Sequence, residues 1–453
     1  MDNRVGNVYV VHCVDTEGPL NESLIATFKR VKDLFNIELK PSEENLEKIQ
    51  KEEIDLNGLE SSVSKAFSKR IMSYNKDWSY LDNMLDNLTS KEFRNSHIDS
   101  YGNGWKYTWF IMDHINYDDN PRSKITGYNA IWDHYKEYYE LCGISEDEFQ
   151  WHVHPANAYN AGNHCGTSYW NSPHVLQSLC HRLIDRGFFP SCFRPGYHTE
   201  RPDSHWFLEQ YIPYDFSNQA VSVTDEESKQ LDLSGGRFGD WRRAKREWGW
   251  YHPSHDDYQT EGNCHRYIFR CLNIGTRLRL ITQGEVDNAF KIAEKGTDVI
   301  MAFCDHDFRE MKYDVEEVYS YIKVASQKFP RVKWINSTAF EAAKAVLKES
   351  AEKITLEIQT EELENNRKKI IIDTNITSFG AQPFFAIKLK NGSYRAEQLD
   401  VQIPNRKWTY VFDEESICSS DVQLIGIATN SRVGSGALKV FSFDKGILFD
   451  KKW

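Results

Sequence analysis

The order of apolar and polar positions in the first hundred residues predicts one buried strand followed by helices. Residues 7–14 (NVYVVHCV) form an almost continuous apolar run rich in β-branched side chains, and a turn-like segment at 15–19 ends it. Such a run is typical of a strand that is buried on both faces. Residues 22–72 and 79–93 show helical periodicity with many Lys and Glu. The pattern therefore predicts a helical insertion over about residues 22–100.

Strand-like and helix-like segments alternate from residue 106 onward. The strand-like segments are 106–112, 149–154, 188–194, 214–216, 265–272, 277–282, 297–304 and 332–337. Alternation at this spacing indicates parallel β/α construction. A polar and aromatic segment at 222–262 interrupts the alternation. Because a long irregular segment inside a compact domain is usually functional, we interpret it as an inserted functional loop.

The hydrophobic pattern changes again near residues 346–353. Short strand-like runs separated by turn signals follow, including the Asn391-Gly392 pair that favours a hairpin. These features predict an antiparallel β-sandwich over residues 354–453. The chain thus divides into a β/α region at 1–348 and a C-terminal sandwich.

Composition and charge narrow the classes of function. The 453 residues are enough for two or three domains, and the formal net charge of -12 disfavours binding to the nucleic-acid backbone. No run of about 18 apolar residues is present, and the first residues lack the apolar core of a signal peptide. We therefore expect no membrane span and a cytoplasmic location. Nine cysteines without a Cys-x-x-Cys pair predict mostly buried free thiols.

Residues suited to catalysis lie where the predicted parallel strands end. In a β/α barrel these carboxyl-terminal ends converge on one mouth, where the active site is found. The residues at these ends are Asp15, Glu17, His152, His154, Arg194, Tyr197, Asp215, Asp305, His306 and Asp307. Five strand ends that carry carboxylates, imidazoles and a guanidinium indicate a reactive site.

The pair His152 and His154 is the strongest indication of a metal site. Two residues apart on a strand, the imidazoles point the same way, and either Glu17 or Asp15 can complete the two-imidazole, one-carboxylate set of a catalytic zinc site. In a metal site, one of the two acids can bind the metal while the other accepts a proton from the water that the metal binds. The alternative to a metal site is a histidine that is only hydrogen-bonded in the core. Arg194 can hold a catalytic carboxylate ionised or form a structural ion pair.

The segments that carry these strand-end residues, in their order along the chain, resemble the motifs of the polysaccharide deacetylase family. This family comprises carbohydrate esterases with a nodulation-deacetylase (NodB) homology domain. The resemblance covers about residues 7–345 without the insertions. It rests on the segments VDTEGP (14–19), FQWHVH (149–154), FRPGY (193–197), YDFS (214–217) and MAFCDHD (301–307). It implies a distorted (β/α)7-type barrel that hydrolyses the amide of an N-acetylated sugar.

The resemblance also implies a role for each motif residue. Asp15 is the base that deprotonates the attacking water, and Arg194 orients it. Glu17, His152 and His154 hold a divalent metal, with zinc the first choice. The backbone N–H of Tyr197 stabilises the oxyanion, and His306 is the acid that protonates the leaving amine. Amide hydrolysis requires these same functions.

The sequence departs from the family pattern in three places. The family commonly has two adjacent aspartates, so the roles of Asp15 and Glu17 can be exchanged. Its metal histidines are usually four apart, yet residue 156 is Ala, so His164 is an alternative partner for one histidine of the pair. The fourth motif lacks an Asp-Trp ending unless the segment 239–241 substitutes for it.

The aromatic residues of segment 222–262 are the predicted sugar contacts. We expect the segment to cover the barrel mouth and to contact substrate through Trp241, Trp248, Trp250, Tyr251 or His255, with Asp215 beneath. The alternative is that these rings pack the loop onto the protein. In the sandwich, core packing is the favoured role of Phe384, Phe385, Trp408 and Tyr410.

The sequence as a whole favours a metal-dependent deacetylase of an N-acetylated sugar, a nucleotide sugar or a glycan precursor in surface-polysaccharide biosynthesis. Two alternatives remain. The paired carboxylates can instead cleave glycosidic bonds, which needs no metal. Alternatively, the protein is an inactive glycan-binding module or scaffold.

Overall fold

A computed structural model describes residues 4–156, 166, 168–170, 172–222, 238–348, 352–432 and 434–453. Its helices are α1 (Leu24–Phe35), α2 (Glu43–Gln50), α3 (Glu60–Ala66), α4 (Trp78–Leu88), α5 (Lys91–Ser96), α6 (Ala130–Cys142), α7 (His174–Arg186), α8 (His205–Tyr211), α9 (Gln283–Glu294), α10 (Lys312–Lys328) and α11 (Ala339–Leu347). The first nine strands are β1 (Asn7–Thr16), β2 (Thr108–Ile111), β3 (Glu148–Val153), β4 (Cys192–Pro195), β5 (Tyr214–Asn218), β6 (Trp250–Tyr251), β7 (Tyr267–Asn273), β8 (Val299–His306) and β9 (Lys333–Ser337).

Seven parallel strands form a closed barrel. They pair in the order β1, β2, β3, β4, β5, β7, β8, and β8 returns to β1. One edge of β1 is shared, since β9 pairs with residues 7–11 and β2 pairs with residues 13–16. The predicted parallel β/α architecture with a barrel is confirmed. The strand expected at 277–282 is wrong, because this segment is irregular and makes only one isolated bridge, between Leu280 and Asn273.

Alternation along the strands fills the barrel with apolar side chains. Val11 and Cys13 of β1, Phe216 of β5, and Ala302 and Cys304 of β8 are buried in one core cluster. Because successive side chains on a strand alternate between faces, the residues two positions further along continue on the inner face. The same alternation that builds the core therefore directs Asp15 and His306 to the mouth.

Five helices, α1 to α5, lie between β1 and β2, where the sequence predicts a helical insertion. The first three surround a small core of their own that includes Phe28, Val31 and Phe67. Leu81 and Leu85 of α4 belong instead to the large core around the barrel. The insertion is thus anchored on the barrel through α4 while its first helices reach the mouth, as described below.

The C-terminal strands form two antiparallel sheets, as predicted. These strands are β10 (Leu356–Glu362), β11 (Lys368–Thr374), β12 (Phe384–Leu389), β13 (Tyr394–Glu397), β14 (Asp400–Ile403), β15 (Lys407–Phe412), β16 (Val422–Asn430), β17 (Gly436–Ser442) and β18 (Gly446–Lys452). One sheet has the order β10, β11, β15, β14 and the other has β13, β12, β16, β17, β18. Phe384, Phe385, Trp408 and Tyr410 are all buried, which agrees with the favoured packing role.

Helix α7 joins the barrel to the sandwich. Its residues Val175, Leu179 and Leu183 share one core cluster with Phe384 of β12 and other residues of the sandwich. On β16, a Cβ atom at Gly426 would stand 2.9 Å from the side chain of Leu183. Glycine at this position therefore lets the sheet lie close against the helix.

The carboxyl of Glu148, at the start of β3, gives one prediction about stability. Burial raises the pKa of Glu148 to about 7, although the backbone N–H of Phe340 donates to it at 3.2 Å. Because the pKa is higher in the folded than in the unfolded chain, the contribution to stability is complete below about pH 4 and is lost as the pH rises through 7. We expect Glu148→Gln to remove about 1–3 kcal/mol of this pH dependence.

Urea unfolding at pH 5 and pH 8 measures this effect. The exposed Glu364→Gln is the control variant and should leave the difference between the two pH values unchanged. An unaltered pH dependence in Glu148→Gln would show that this carboxyl titrates normally.

No helix among the described residues is both long enough and apolar enough to cross a membrane.

Candidate active site

Asp15 and Arg194 form a buried ion pair at the centre of the barrel mouth. The Arg194 guanidinium donates from Nε to Oδ1 of Asp15 at 2.7 Å and from Nη2 to Oδ2 at 3.2 Å. Its Nη1 donates to the carbonyl oxygen of Phe216 at 2.6 Å, so the β4 side chain is fixed by groups on two other strands, β1 and β5. This bidentate arrangement sets both the position and the orientation of the carboxylate.

Two histidines complete the surroundings of Asp15. Nδ1 of His152 lies 3.6 Å from one carboxylate oxygen, and Nε2 of His306 lies 3.8 Å from the other. Burial alone would raise the pKa of the Asp15 carboxyl, but Arg194 with these histidines lowers it below its usual value. Asp15 is therefore ionised at neutral pH, which is the state in which a carboxylate can accept a proton.

Glu17, His152 and His154 form a separate group whose potential metal-binding atoms all lie within 4.8 Å of one another. Nε2 of His152 and Nε2 of His154 are 3.1 Å apart, and Nε2 of His154 is 3.5 Å from Oε1 of Glu17. Nδ1 of His152 donates to the carbonyl oxygen of Arg194 at 2.9 Å. This hydrogen bond directs Nε2 toward His154, away from Asp15.

This donor set fits a divalent metal of the zinc type. Two ligand atoms at about 2.0–2.1 Å from a tetrahedral zinc ion are separated by about 3.3 Å, close to the spacings in the group. Burial lowers the pKa of His154 to about 4, so its ring is neutral at pH 7, as a ligand must be. Two imidazoles and one carboxylate leave a fourth position open, as in catalytic zinc sites.

Three residues around Glu17 have no role assigned to them by the sequence analysis. The Lys124 ammonium forms a buried ion pair with Oε2 of Glu17, which leaves Oε1 facing His154. Nε2 of His114 donates to the carbonyl oxygen of Glu17 at 2.8 Å. Asp307 accepts hydrogen bonds from the backbone N–H groups of Glu17 and Gly18 at 2.8 and 2.9 Å. The segment after β1 is thus held rigidly on several sides.

The sequence indicates only two of these three residues. His114 lies just after β2, so the rule that strand ends carry the reactive groups could have found it. Asp307 was noted at a strand end, but without a role. Lys124 lies in the long loop between β2 and α6, and no pattern around it indicates a contact with Glu17.

His306 presents an N–H group to the mouth. Nη2 of Arg309 donates to Nδ1 of His306 at 3.2 Å, so the neutral ring carries its proton on Nε2, the atom that faces Asp15. Burial and the positive charge of Arg309 lower the pKa of His306 to about 3. The ring is therefore neutral at pH 7 in the free protein.

Tyr197 lies against the metal-ligand group. It has a left-handed backbone conformation, with φ 53°, in the short turn after β4. Its ring contacts the His154 ring at a centroid distance of 4.8 Å and the Phe238 ring at 5.5 Å. The role of its backbone N–H as an oxyanion donor stays a prediction.

Gly196, before Tyr197, allows His154 to occupy its position. A Cβ atom at residue 196 would stand 1.8 Å from Cδ2 of His154. We expect Gly196→Ala to displace the imidazole and to weaken zinc binding by about 10–100-fold, the usual effect of disturbing the support of a ligand. A competition titration against a chromogenic chelator measures this affinity.

Gly284→Ala serves as the control, because its Cβ atom would meet only Oγ1 of Thr282 at 3.8 Å. Equal zinc affinities of the two variants would contradict the proposed position of His154 in the metal site.

A cavity of about 160 Å³ opens above this group. Its wall includes Glu17, His154, Tyr197 and His306 from the barrel. The helical insertion contributes Arg30, Asp33, Leu34, Ala66, Ile71 and Tyr74. Residues 276–278 supply a further part of the wall, and 277–278 belong to the segment 277–282 that is expected from the sequence to be a strand. Both segments therefore shape the space above the reactive groups.

The structure does not place Asp215 at the mouth. Its neighbours on β5, Tyr214 and Phe216, face the barrel interior, so alternation turns Asp215 outward. There its Oδ2 accepts from Nε of Arg266 at 3.1 Å, and the same guanidinium pairs with Glu200. Asp215 is thus part of a buried structural ion-pair cluster and not a substrate contact.

The aromatic residues predicted to bind sugar lie mostly away from the cavity. Trp241 and Tyr251 are buried, which matches the packing alternative, and the Trp241 indole N–H donates to the His198 carbonyl at 2.9 Å. Trp248 is buried against Arg270. Trp250 lies on β6, which pairs antiparallel with β7, and it does not line the cavity.

Of the described part of segment 222–262, only residue 238 lines the cavity. His255 has a highly exposed side chain and lies beside His205. Residues 223–237 and His164 lie outside the described residues.

A second group of potential metal ligands, His205, Glu209 and Cys264, lies outside the barrel. Nη1 of Arg266 donates to Nδ1 of His205 at 2.7 Å and to Oε1 of Glu209 at 2.8 Å. The guanidinium already neutralises this group, so we do not assign a metal there.

Comparison with known proteins leaves the family open. No family model and no curated protein matches the chain. Among solved structures, the chain matches a modular endo-β-1,4-mannanase of glycoside hydrolase family 26 from Cellulomonas fimi, with 8% identity and a TM-score of 0.21, over 83% of this chain and 67% of that chain. It also matches a double mutant of the Cellulomonas fimi endo-β-1,4-mannanase, with 9% identity and a TM-score of 0.19, over 83% and 68%. TM-scores this low do not establish a common fold.

Proposed function

We propose that the protein is a metal-dependent hydrolase that removes the acetyl group from an N-acetylated sugar, as the resemblance to polysaccharide deacetylases implies. The observation that carries the proposal is the juxtaposition of two groups in one barrel mouth. Glu17, His152 and His154 form a ligand set, and the ionised Asp15 held by Arg194 lies beside it. Both groups come from the ends of barrel strands, which is where barrel enzymes carry their active sites.

In the proposed reaction, water adds to the acetyl carbonyl carbon, the C–N bond breaks, and acetate and a free amine leave. A divalent cation held by the ligand set supplies Lewis acidity, which polarises the carbonyl and makes water easier to deprotonate. Asp15 accepts the proton of the attacking water. Arg194 keeps the carboxylate ionised and oriented toward the mouth.

Two further residues act on the developing charges. His306 is neutral in the free protein, so it acts as the acid for the departing nitrogen only after its ring gains a proton during the reaction, and the proton that Asp15 takes from water becomes available 3.8 Å from its Nε2. The backbone N–H of Tyr197, in the turn beside His154, is the proposed donor to the oxyanion. These roles follow the family resemblance and agree with the arrangement of the side chains.

Glycoside hydrolysis is the second candidate, because two carboxylates, those of Asp15 and Glu17, lie together in the barrel mouth. A pair of catalytic carboxylates requires one member to be protonated, which a raised pKa provides. Here burial opposes ionisation, but Arg194 and Lys124 lower the pKa of Asp15 and of Glu17, respectively. The geometry without metal therefore favours two ionised acids, and the requirement for metal separates the candidates.

The test is purification without chelator, followed by metal analysis and by assays of acetate release from a panel of N-acetylated sugars and of reducing ends from mannans. We expect close to one zinc per chain and acetate release that chelation abolishes. His152→Ala and His154→Ala should lose metal and activity together. Chelator-resistant release of reducing ends would favour the glycoside hydrolase. Glycan binding without hydrolysis of either kind would favour the inactive binding module.

A further inference from the structure

We propose that the substrate is an N-acetylated sugar that carries a phosphate group, and that the cavity wall above the metal-ligand group binds this phosphate. The inference rests on the proposed function, whose site it extends. It follows from the charges that line the cavity, from the side chains that neutralise them, and from one buried guanidinium that forms no ion pair with a carboxylate of the described residues.

The cavity wall is strongly basic although the protein is acidic overall. Among the described residues that line it, those with a charge of fixed sign are Arg30, Arg122, Lys124, Arg277 and Arg309, against the two acids Glu17 and Asp33. The whole chain has a formal net charge of -12. A concentration of cations in one concave site of an acidic protein attracts anionic ligands.

The neighbouring acids neutralise this charge only in part. Lys124 pairs with Glu17. Arg30 and Arg122 both pair with a single buried carboxylate, Glu22, at 2.8 and 3.1 Å. Three acids among the described residues, Glu17, Glu22 and Asp33, thus stand against the five cations of the wall, and the positive charge that remains includes that of Arg309.

Arg309 carries the second independent indication. It is 94% buried, and it lines the cavity beside His306. Its Nη2 donates to His306, whereas its buried Nε has no hydrogen-bond partner in the described structure. No carboxylate among the described residues forms an ion pair with it. A buried unpaired guanidinium is costly, and an anionic ligand that accepts its remaining N–H groups would relieve that cost.

Phosphate suits this wall better than a single carboxylate. Several guanidinium groups present planar pairs of donors, which match phosphate oxygens, and a phosphate monoester carries up to two negative charges. The cavity of about 160 Å³ has room for a phosphate.

Calorimetric titration of the full-length, metal-loaded protein tests the inference. The probes are N-acetylglucosamine, N-acetylgalactosamine and N-acetylmannosamine, each as the uncharged sugar and as its 1-phosphate. The nucleoside diphosphate derivatives of the first two sugars are tested as well. We expect at least one phosphorylated sugar to bind at least 10-fold more tightly than its uncharged counterpart. Raising the salt concentration should reduce this advantage, since screening weakens partly exposed charge pairs.

Substitution of single arginines shows which residues of the cavity wall bind the phosphate. Arg277→Gln and Arg122→Gln should each weaken binding of the phosphorylated sugar about 10-fold and leave the uncharged sugar unaffected. Arg331→Gln, which removes an exposed arginine paired with Glu294 before β9, is the control and should change neither. Comparison of the 1-phosphates with the nucleotide sugars shows whether the phosphate is a monoester or a diphosphate.

The outcomes separate this inference from the proposed function. Equal affinity for charged and uncharged sugars, or no effect of Arg277→Gln and Arg122→Gln, would overturn the phosphate site even if acetate is released. Equal binding of the corresponding N-acetylated uronic acid would overturn the choice of phosphate. Binding of phosphorylated sugars that depends on these arginines, without acetate release, would support the phosphate site and contradict the deacetylase.

Discussion

Asp15→Asn should reduce turnover by about 10²–10⁴-fold while zinc stays bound, because removal of a general base usually has an effect of this size. Asn retains the shape of Asp and one oxygen for the Arg194 guanidinium, but it cannot accept the proton of the attacking water. The metal is expected to remain, since Glu17, His152 and His154 form the ligand group without Asp15. Steady-state acetate release and metal analysis of the same preparation check both parts.

Glu17→Gln is the matched comparison for this variant. It makes the same acid-to-amide change two residues away, and we expect it to lower the zinc content together with the activity. If Asp15→Asn empties the site while Glu17→Gln retains its zinc, the roles of the two acids are exchanged. If neither change affects any hydrolytic activity, the proposed centre is not the reactive one.

Arg194→Met should lower the free energy of unfolding by about 3–5 kcal/mol, because it leaves the Asp15 carboxylate buried without its partner. Methionine fills much of the space but provides no donor for the two hydrogen bonds at 2.7 and 3.2 Å. With Arg194 absent, burial dominates and the pKa of Asp15 should rise, which also removes the base. Urea unfolding and acetate release measure the two effects.

The double variant Asp15→Asn with Arg194→Met separates a lost ion pair from lost packing. Because it removes both buried charges, its destabilisation should be smaller than the sum of the single effects. Arg331→Gln, at an exposed ion pair, should cost no more than about 1 kcal/mol. A loss below 1 kcal/mol in Arg194→Met would show that Asp15 finds other partners and that Arg194 does not maintain its charge.

The parts of the fold and site that could be predicted are those encoded by short-range periodicity. The apolar run of β1 ends at Asp15, and alternation along the strands indicates that Asp15 and His306 lie on the inner face. Parallel strands then bring these ends together whatever the length of the chain between them. This is why the sequence sufficed to select His152, His154 and Arg194 for the barrel mouth.

The remaining parts depend on contacts between distant segments, which composition does not encode. Lys124 reaches Glu17 from a long loop, and no periodicity marks its position. The aromatic residues of segment 222–262 illustrate a second difficulty, because a tryptophan that packs and one that stacks on sugar look alike in the sequence. In the structure, Trp241 is 1% exposed and Trp250 is 38% exposed. Alternation along β5 could have shown that Asp215 faces outward.

The contact of α7 with the sandwich bears on how the chain can be divided. A fragment ending near residue 348 would leave the side chains of Val175, Leu179 and Leu183 facing water along one strip of the helix. It would also leave Asp185 without Lys388 and Tyr394, which bind it at 2.9 and 2.7 Å. An apolar strip of this kind promotes aggregation. The change of composition near residue 350 therefore marks a change of architecture within one cooperative unit, and a truncated barrel would be a poor substitute for the whole chain.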